Sequence, residues 1–129
     1  MSSLLLCLLG SCSTHEARNK SAHSCLLDSH STEQEHIIIS AKSQGGSFIS
    51  CFQNYLRFEK EKKQTVHVCH ALLVEKSGKV TYSKVSGINE RVPNDFRLCL
   101  EQSLWIMNFK SLQLSGEVYL QFPIKYESL

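Results

Sequence analysis

From Gly116 to Tyr126 the chain alternates without a break. Val118, Leu120, Phe122, Ile124 and Tyr126 take one parity; Glu117, Tyr119, Gln121, Pro123 and Lys125 take the other. Side chains of a strand point to opposite faces in turn, so this pattern places one apolar row and one mixed row on the two sides of a sheet. Such a strand needs a neighbouring strand and a covering layer before its apolar row is dry. Pro123 has no amide to give to a ladder, which puts this strand at an edge.

The remaining elements supply the neighbours and the cover. A helix is predicted over Ser47 to Glu61, with Phe48, Cys51, Phe52, Tyr55 and Leu56 on one stripe and the Ser47 hydroxyl as its cap. Thr65 to Glu75 is a β-branched, largely apolar run and reads as a central strand covered on part of both faces. Lys76-Ser77-Gly78-Lys79 is turn chemistry, with Gly78 free to take positive φ, and Val80 to Ser86 is the return strand. A second helix is predicted over Pro93 to Met107, with Phe96, Cys99, Leu100, Ser103, Leu104 and Met107 on its stripe. The expected fold class is α+β: a small three-stranded sheet with two helices on one face, in the order α-β-β-α-β over residues 46–126. Residues 12–45 read as a largely irregular tether, in which His36 to Ser40 fits either a strand or a turn of helix.

Fourteen Lys and Arg stand against 12 Asp and Glu, a net charge of +2. That balance is too even to imply nucleic acid or an acidic membrane as the main partner. The basic run Lys60, Lys62 and Lys63 is broken by Glu61 and reads as a solvated helix end. Leu4 to Leu9 is an apolar run far shorter than the roughly 20 residues that span a bilayer. It suits the apolar core of a signal peptide over residues 1–11, although no basic residue precedes it. The bland alternative is a buried turn at the start of the domain. Leu9-Gly10-Ser11-Cys12 resembles the lipobox of bacterial lipoproteins. That resemblance implies a lipid on Cys12, a membrane attachment through it, and a place in the periplasm or outer membrane of a Gram-negative bacterium.

Several segments recur together in one known family. They are Leu72 to Val80, containing V-x-x-x-G-x-V; Asp95 to Leu100 around Cys99; Asn108-Phe109; and Gly116 to Ile124, reading G-x-V-x-x-x-F-P-I. The ordered set is similar to TonB carboxy-terminal-like domains, most of all the AgmX/PglI type, over residues 46–126. The resemblance implies a paired helix cysteine and a non-catalytic module that binds a protein partner in the cell envelope. Only the binding part of the family carries over, since the transmembrane helix and Pro-rich spacer of TonB itself have no counterpart in this sequence. The expected contact is strand addition at the sheet edge formed by Glu117, Val118, Tyr119, Leu120 and Gln121. A homodimer is among the assemblies such an edge allows.

Six cysteines suggest disulfides if the chain is exported, and metal or catalysis if it is not. Cys51 and Cys99 each lie inside an apolar stripe, and two helices on one sheet face bring those stripes together, so they are expected to oxidise. The alternative is a pair of reduced core thiols. Cys69 reads as an inert core thiol, and Cys25 as free or paired with Cys69. His15, His23, Cys25, His30, His36, His67, Cys69 and His70 make a metal-binding envelope protein the runner-up, yet no paired ligand spacing of a zinc site occurs; no metal and no cofactor are expected. A structural subunit of a larger envelope machine is a third reading. Cys69 and His70 are chain neighbours and face opposite ways on a strand, so they cannot form a nucleophile and base pair. No enzyme activity is expected.

Overall fold

A computed structural model describes Cys25, residues 30–59 and residues 64–128 of the chain. The signal region, Cys12, His15, His23 and the Lys60 to Lys63 run lie outside the described residues. Three helices and three strands follow in the order α1 (Thr32–Ser43), α2 (Gly46–Phe58), β1 (Thr65–Val74), β2 (Val80–Gly87), α3 (Asn94–Trp105) and β3 (Val118–Glu127), with a 3-10 turn at Lys110–Leu112 before β3. The strands form an antiparallel sheet in the order β2-β1-β3, so β1 is central and β3 is an edge, as the alternation and Pro123 predicted.

The chain is an α+β domain with one helix more than the expected order. α1 occupies part of the stretch expected as tether. Its apolar signal is thin: Ile37 and Ala41, four apart, are the residues it buries completely, while Ile39 stays exposed. Its start is fixed locally by a capping box. The Ser31 hydroxyl accepts the Gln34 amide (3.1 Å), and the Gln34 side chain accepts the Ser31 amide (2.8 Å). α2 is preceded by Gly45 at its cap position, with no side-chain cap bond, so the expected Ser47 cap is not formed.

One face of the sheet is dry. In β1 the even residues Val66, Val68, His70, Leu72 and Val74 are buried toward the helices, and Val118, Leu120, Phe122 and Tyr126 continue that layer on β3. α2 contributes Phe48, Cys51, Phe52 and Tyr55, and α3 contributes Phe96, Leu100 and Leu104. Rings of Phe52, Tyr55, Phe96 and Tyr126 pack with centroids 5.0 to 6.0 Å apart. In β2, Val80 and Val85 differ in parity yet both reach the core. A bulge explains this: β2 advances two residues, from Tyr82 to Val80, where β1 advances one, from Leu73 to Val74. Gly78 in the hairpin has φ 91°, and a Cβ there would strike the backbone of Phe109 and Lys110.

Two disulfides cross the domain. Cys51–Cys99 joins α2 to α3, with Cα atoms 5.7 Å apart. Cys25–Cys69 joins the segment before α1 to β1, also at 5.7 Å. Cys69 is therefore no free thiol. It has the odd parity of β1 and lies on the face away from α2 and α3, while its neighbour His70 faces the core. Disulfides persist in oxidising compartments. No helix among the described residues is long and apolar enough to cross a membrane.

Candidate functional site

Backbone register decides which groups of β3 face outward. The Ser128 amide bonds the Gln64 carbonyl at 2.9 Å, which makes that pair a hydrogen-bonded one. Along an antiparallel ladder such pairs alternate with pairs whose amides and carbonyls turn away. Counting back through the register, Val118, Leu120, Phe122, Ile124 and Tyr126 bond β1, and Tyr119, Gln121, Pro123, Lys125 and Glu127 turn to the outer edge. Pro123 thus stands where a missing amide costs no ladder bond.

The first half of that edge is covered. Gln34 Nε2 donates to the Tyr119 carbonyl at 3.0 Å, and His30 Nε2 to the Gln121 carbonyl at 3.1 Å. Just before the strand, the Glu33 carboxylate accepts the Ser115 amide (2.6 Å) and hydroxyl (3.0 Å). The stretch from Glu117 to Gln121 therefore divides. Val118 and Leu120 are buried and bonded to β1, Tyr119 and Gln121 are engaged by the start of α1, and Glu117 is exposed ahead of the strand. The second half, from Pro123 to Glu127, borders an open cleft of about 530 Å³. Phe48, Ile49 and Phe52 from α2 and Tyr126 supply its apolar lining, and Lys42, Lys125 and Glu127 its charged rim, with Lys125 3.6 Å from Glu127. Sequence reasoning missed α1 and with it this division of the edge.

The other sheet edge is engaged at Val85. The Val85 amide, turned outward on β2, donates to the Glu101 carboxylate at 2.9 Å, and the Ser83 hydroxyl donates to the Glu101 carbonyl at 3.0 Å. Arg97 holds the same carboxylate with Nη1 at 3.0 and 3.1 Å. A charged side chain on an edge amide blocks further strand pairing there.

The remaining candidate groups are dispersed or spent. Sulfurs of Cys25, Cys51, Cys69 and Cys99 are in disulfides, so none is a thiolate nucleophile or ligand. His67 is exposed and its Nδ1 lies 3.2 Å from Glu90. His70 is fully buried between Phe48 and Phe122, with Nε2 3.0 Å from the Tyr126 hydroxyl and Nδ1 unpartnered. Burial pulls its pKa from 6.5 down to about 3 and pushes Tyr126 upward, so both are neutral at ordinary pH. Among the described residues no three His, Cys, Asp or Glu side chains converge as a metal site would require.

No protein family, no curated protein and no solved structure matches this chain.

Proposed function

We propose that the chain is a non-catalytic interaction module of the cell envelope, which takes an extended segment of a protein partner along the outer edge of β3. One observation carries this reading: the edge from Pro123 to Glu127 turns backbone groups toward an apolar cleft, and the Lys125 amide and carbonyl meet no partner among the described residues. An added strand would satisfy those groups, and its alternate side chains would enter the wall made by Phe48, Ile49 and Phe52. The ordered resemblance to TonB carboxy-terminal-like domains supports the same use of the last strand. The non-catalytic part rests on chemistry, since four cysteines are oxidised and the core histidine is out of reach of any substrate. Export with a lipid on Cys12, and so a periplasmic or outer-membrane location, completes the proposal; two disulfides are what such a compartment favours.

Lys125→Pro tests the edge. Its amide points outward, so proline there removes an edge donor without taking a bond from the β1 ladder. The immobilised full chain is used to capture proteins from an envelope extract, and each captured protein is then titrated against wild type and Lys125→Pro. Weakening on the order of 10-fold is expected, from one lost bond plus the clash of the ring with an incoming strand. Equal binding by a folded Lys125→Pro would sink the strand-addition reading.

A further inference from the structure

The carboxy-terminal end of α3 carries apolar surface that the fold does not use. The helix buries Phe96, Leu100, Ser103 and Leu104. On its outer side Leu98, Trp105 and Ile106 fall at i, i+7 and i+8, with exposures of 45%, 52% and 75%. Gln102 lies between them and is also exposed. The indole N–H of Trp105 has no hydrogen-bond partner among the described residues.

The β1–β2 hairpin reaches the same end of the molecule. Lys79 bridges Asn108, and the Phe109 amide donates to the Gly78 carbonyl at 3.0 Å. Lys79, Trp105, Ile106 and Lys110 line one shallow cleft of about 370 Å³ that contains no carboxylate. Lys76 is exposed in the adjoining turn. Among the acids at this end, Glu75 takes the Ser77 hydroxyl, the exposed Glu117 stands beside it one residue beyond the Val74–Val118 pair, and Glu101 is already neutralised by Arg97. Three lysines against Glu75 and Glu117 leave this end with one surplus positive charge beside an exposed indole and a branched aliphatic side chain.

We infer that this end of α3 is a contact surface for an anionic lipid headgroup layer. Charge complementarity selects that occupant. An indole with a free N–H settles at the boundary between headgroups and acyl chains, where its ring is dry and its donor is wet. Ile106 enters beside it, and the lysine ammonium groups reach lipid phosphates. Each lysine near such a surface contributes about 1 kcal/mol, so one net charge gives about a 5-fold preference for anionic over neutral membranes. The surface shares no residue with the β3 cleft, and it stands whether or not that cleft binds a peptide.

Trp105 is the chain's only tryptophan and reports the contact directly. The full chain is titrated with phosphatidylcholine vesicles, with and without phosphatidylglycerol, while tryptophan emission and co-sedimentation are followed. A blue shift and sedimentation are expected with the anionic vesicles, with binding about 5-fold weaker on neutral ones and reduced by added salt. The pair Lys79→Glu and Lys110→Glu, both exposed, should keep the native circular dichroism and lose the anionic preference. Ile106→Asp should weaken sedimentation on its own. No shift with either vesicle, or equal binding to both, overturns the inference. So does a blue shift that grows with protein concentration in the absence of lipid, which would assign the surface to a second copy of the chain.

Discussion

His70 makes the fold acid-labile in a way that one side chain can be shown to cause. It is fully buried, its Nδ1 has no partner, and burial depresses its pKa from 6.5 to about 3. The native state therefore holds it neutral, whereas the unfolded chain binds a proton as soon as the pH falls below the ordinary value. Stability from this group is complete above pH 6.5 and is lost as the pH falls toward the folded value of about 3. Within that window the slope is about 1.4 kcal/mol per pH unit, so a change from about pH 7 to about pH 4.5 costs about 2 to 3 kcal/mol. Against a net stability of about 5 to 15 kcal/mol for a domain, that is a large fraction.

Urea unfolding at a series of pH values, on wild type and on His70→Leu, isolates the effect. Leucine fills similar space and does not titrate. It gives up the contact with Tyr126 but also removes the orphaned Nδ1, so its cost near neutral pH is about 1 to 2 kcal/mol. Carboxylates common to both proteins cancel in the difference between the two curves. That difference should be constant above pH 6.5 and close as the pH falls, until the variant is the more stable protein. A difference flat across the whole range would refute the argument, because it would mean that His70 is protonated equally in the folded and unfolded chains.

Other expectations follow from single contacts. Replacing Cys51 and Cys99 together by alanine opens a loop of 48 residues and should cost about 4 kcal/mol by chain entropy, read as a lower urea midpoint. Glu101→Ala leaves the outward amide of Val85 and the Arg97 guanidinium without their acceptor; a loss of about 2 kcal/mol is expected, with Glu101→Gln recovering part of it; full recovery by Gln would discount the ion pair, and equal losses for the two would discount the hydrogen bond to Val85. Gly87→Ala drives a Cβ into the Glu90 carbonyl and should destabilise by about 2 kcal/mol or more in the same assay. Intact mass spectrometry of the chain from a native membrane fraction should show an acylated start at Cys12 and the loss of four hydrogens for two disulfides; a full-length, fully reduced mass would remove the proposed export.

What the sequence made legible, and what it hid, follows from how locally each feature is encoded. β3 could be read because a two-residue period and one proline decide both its conformation and its place at an edge. The hairpin could be read because Gly78 and its neighbours admit few other turns. α1 was hidden because a three-turn helix that buries only Ile37 and Ala41 hardly differs in pattern from a loop, and the run Ile37-Ile38-Ile39 suggests a strand. Its capping box, Ser31 with Gln34, was the signal available. The face of β1 could also have been decided: Val66, Val68, Leu72 and Val74 share the parity of His70, so four valine and leucine side chains outvote one cysteine and place Cys69 on the opposite side. Once Cys69 is known to look away from the helix layer, Cys25 becomes its natural partner, because the two helix cysteines already face each other in the core. The division of the β3 edge is of another kind. Whether the Tyr119 and Gln121 carbonyls are free depends on where His30 and Gln34, roughly ninety residues upstream, come to rest. No period or spacing encodes that distance, so this edge had to be seen in three dimensions before its covered half could be told from its open one.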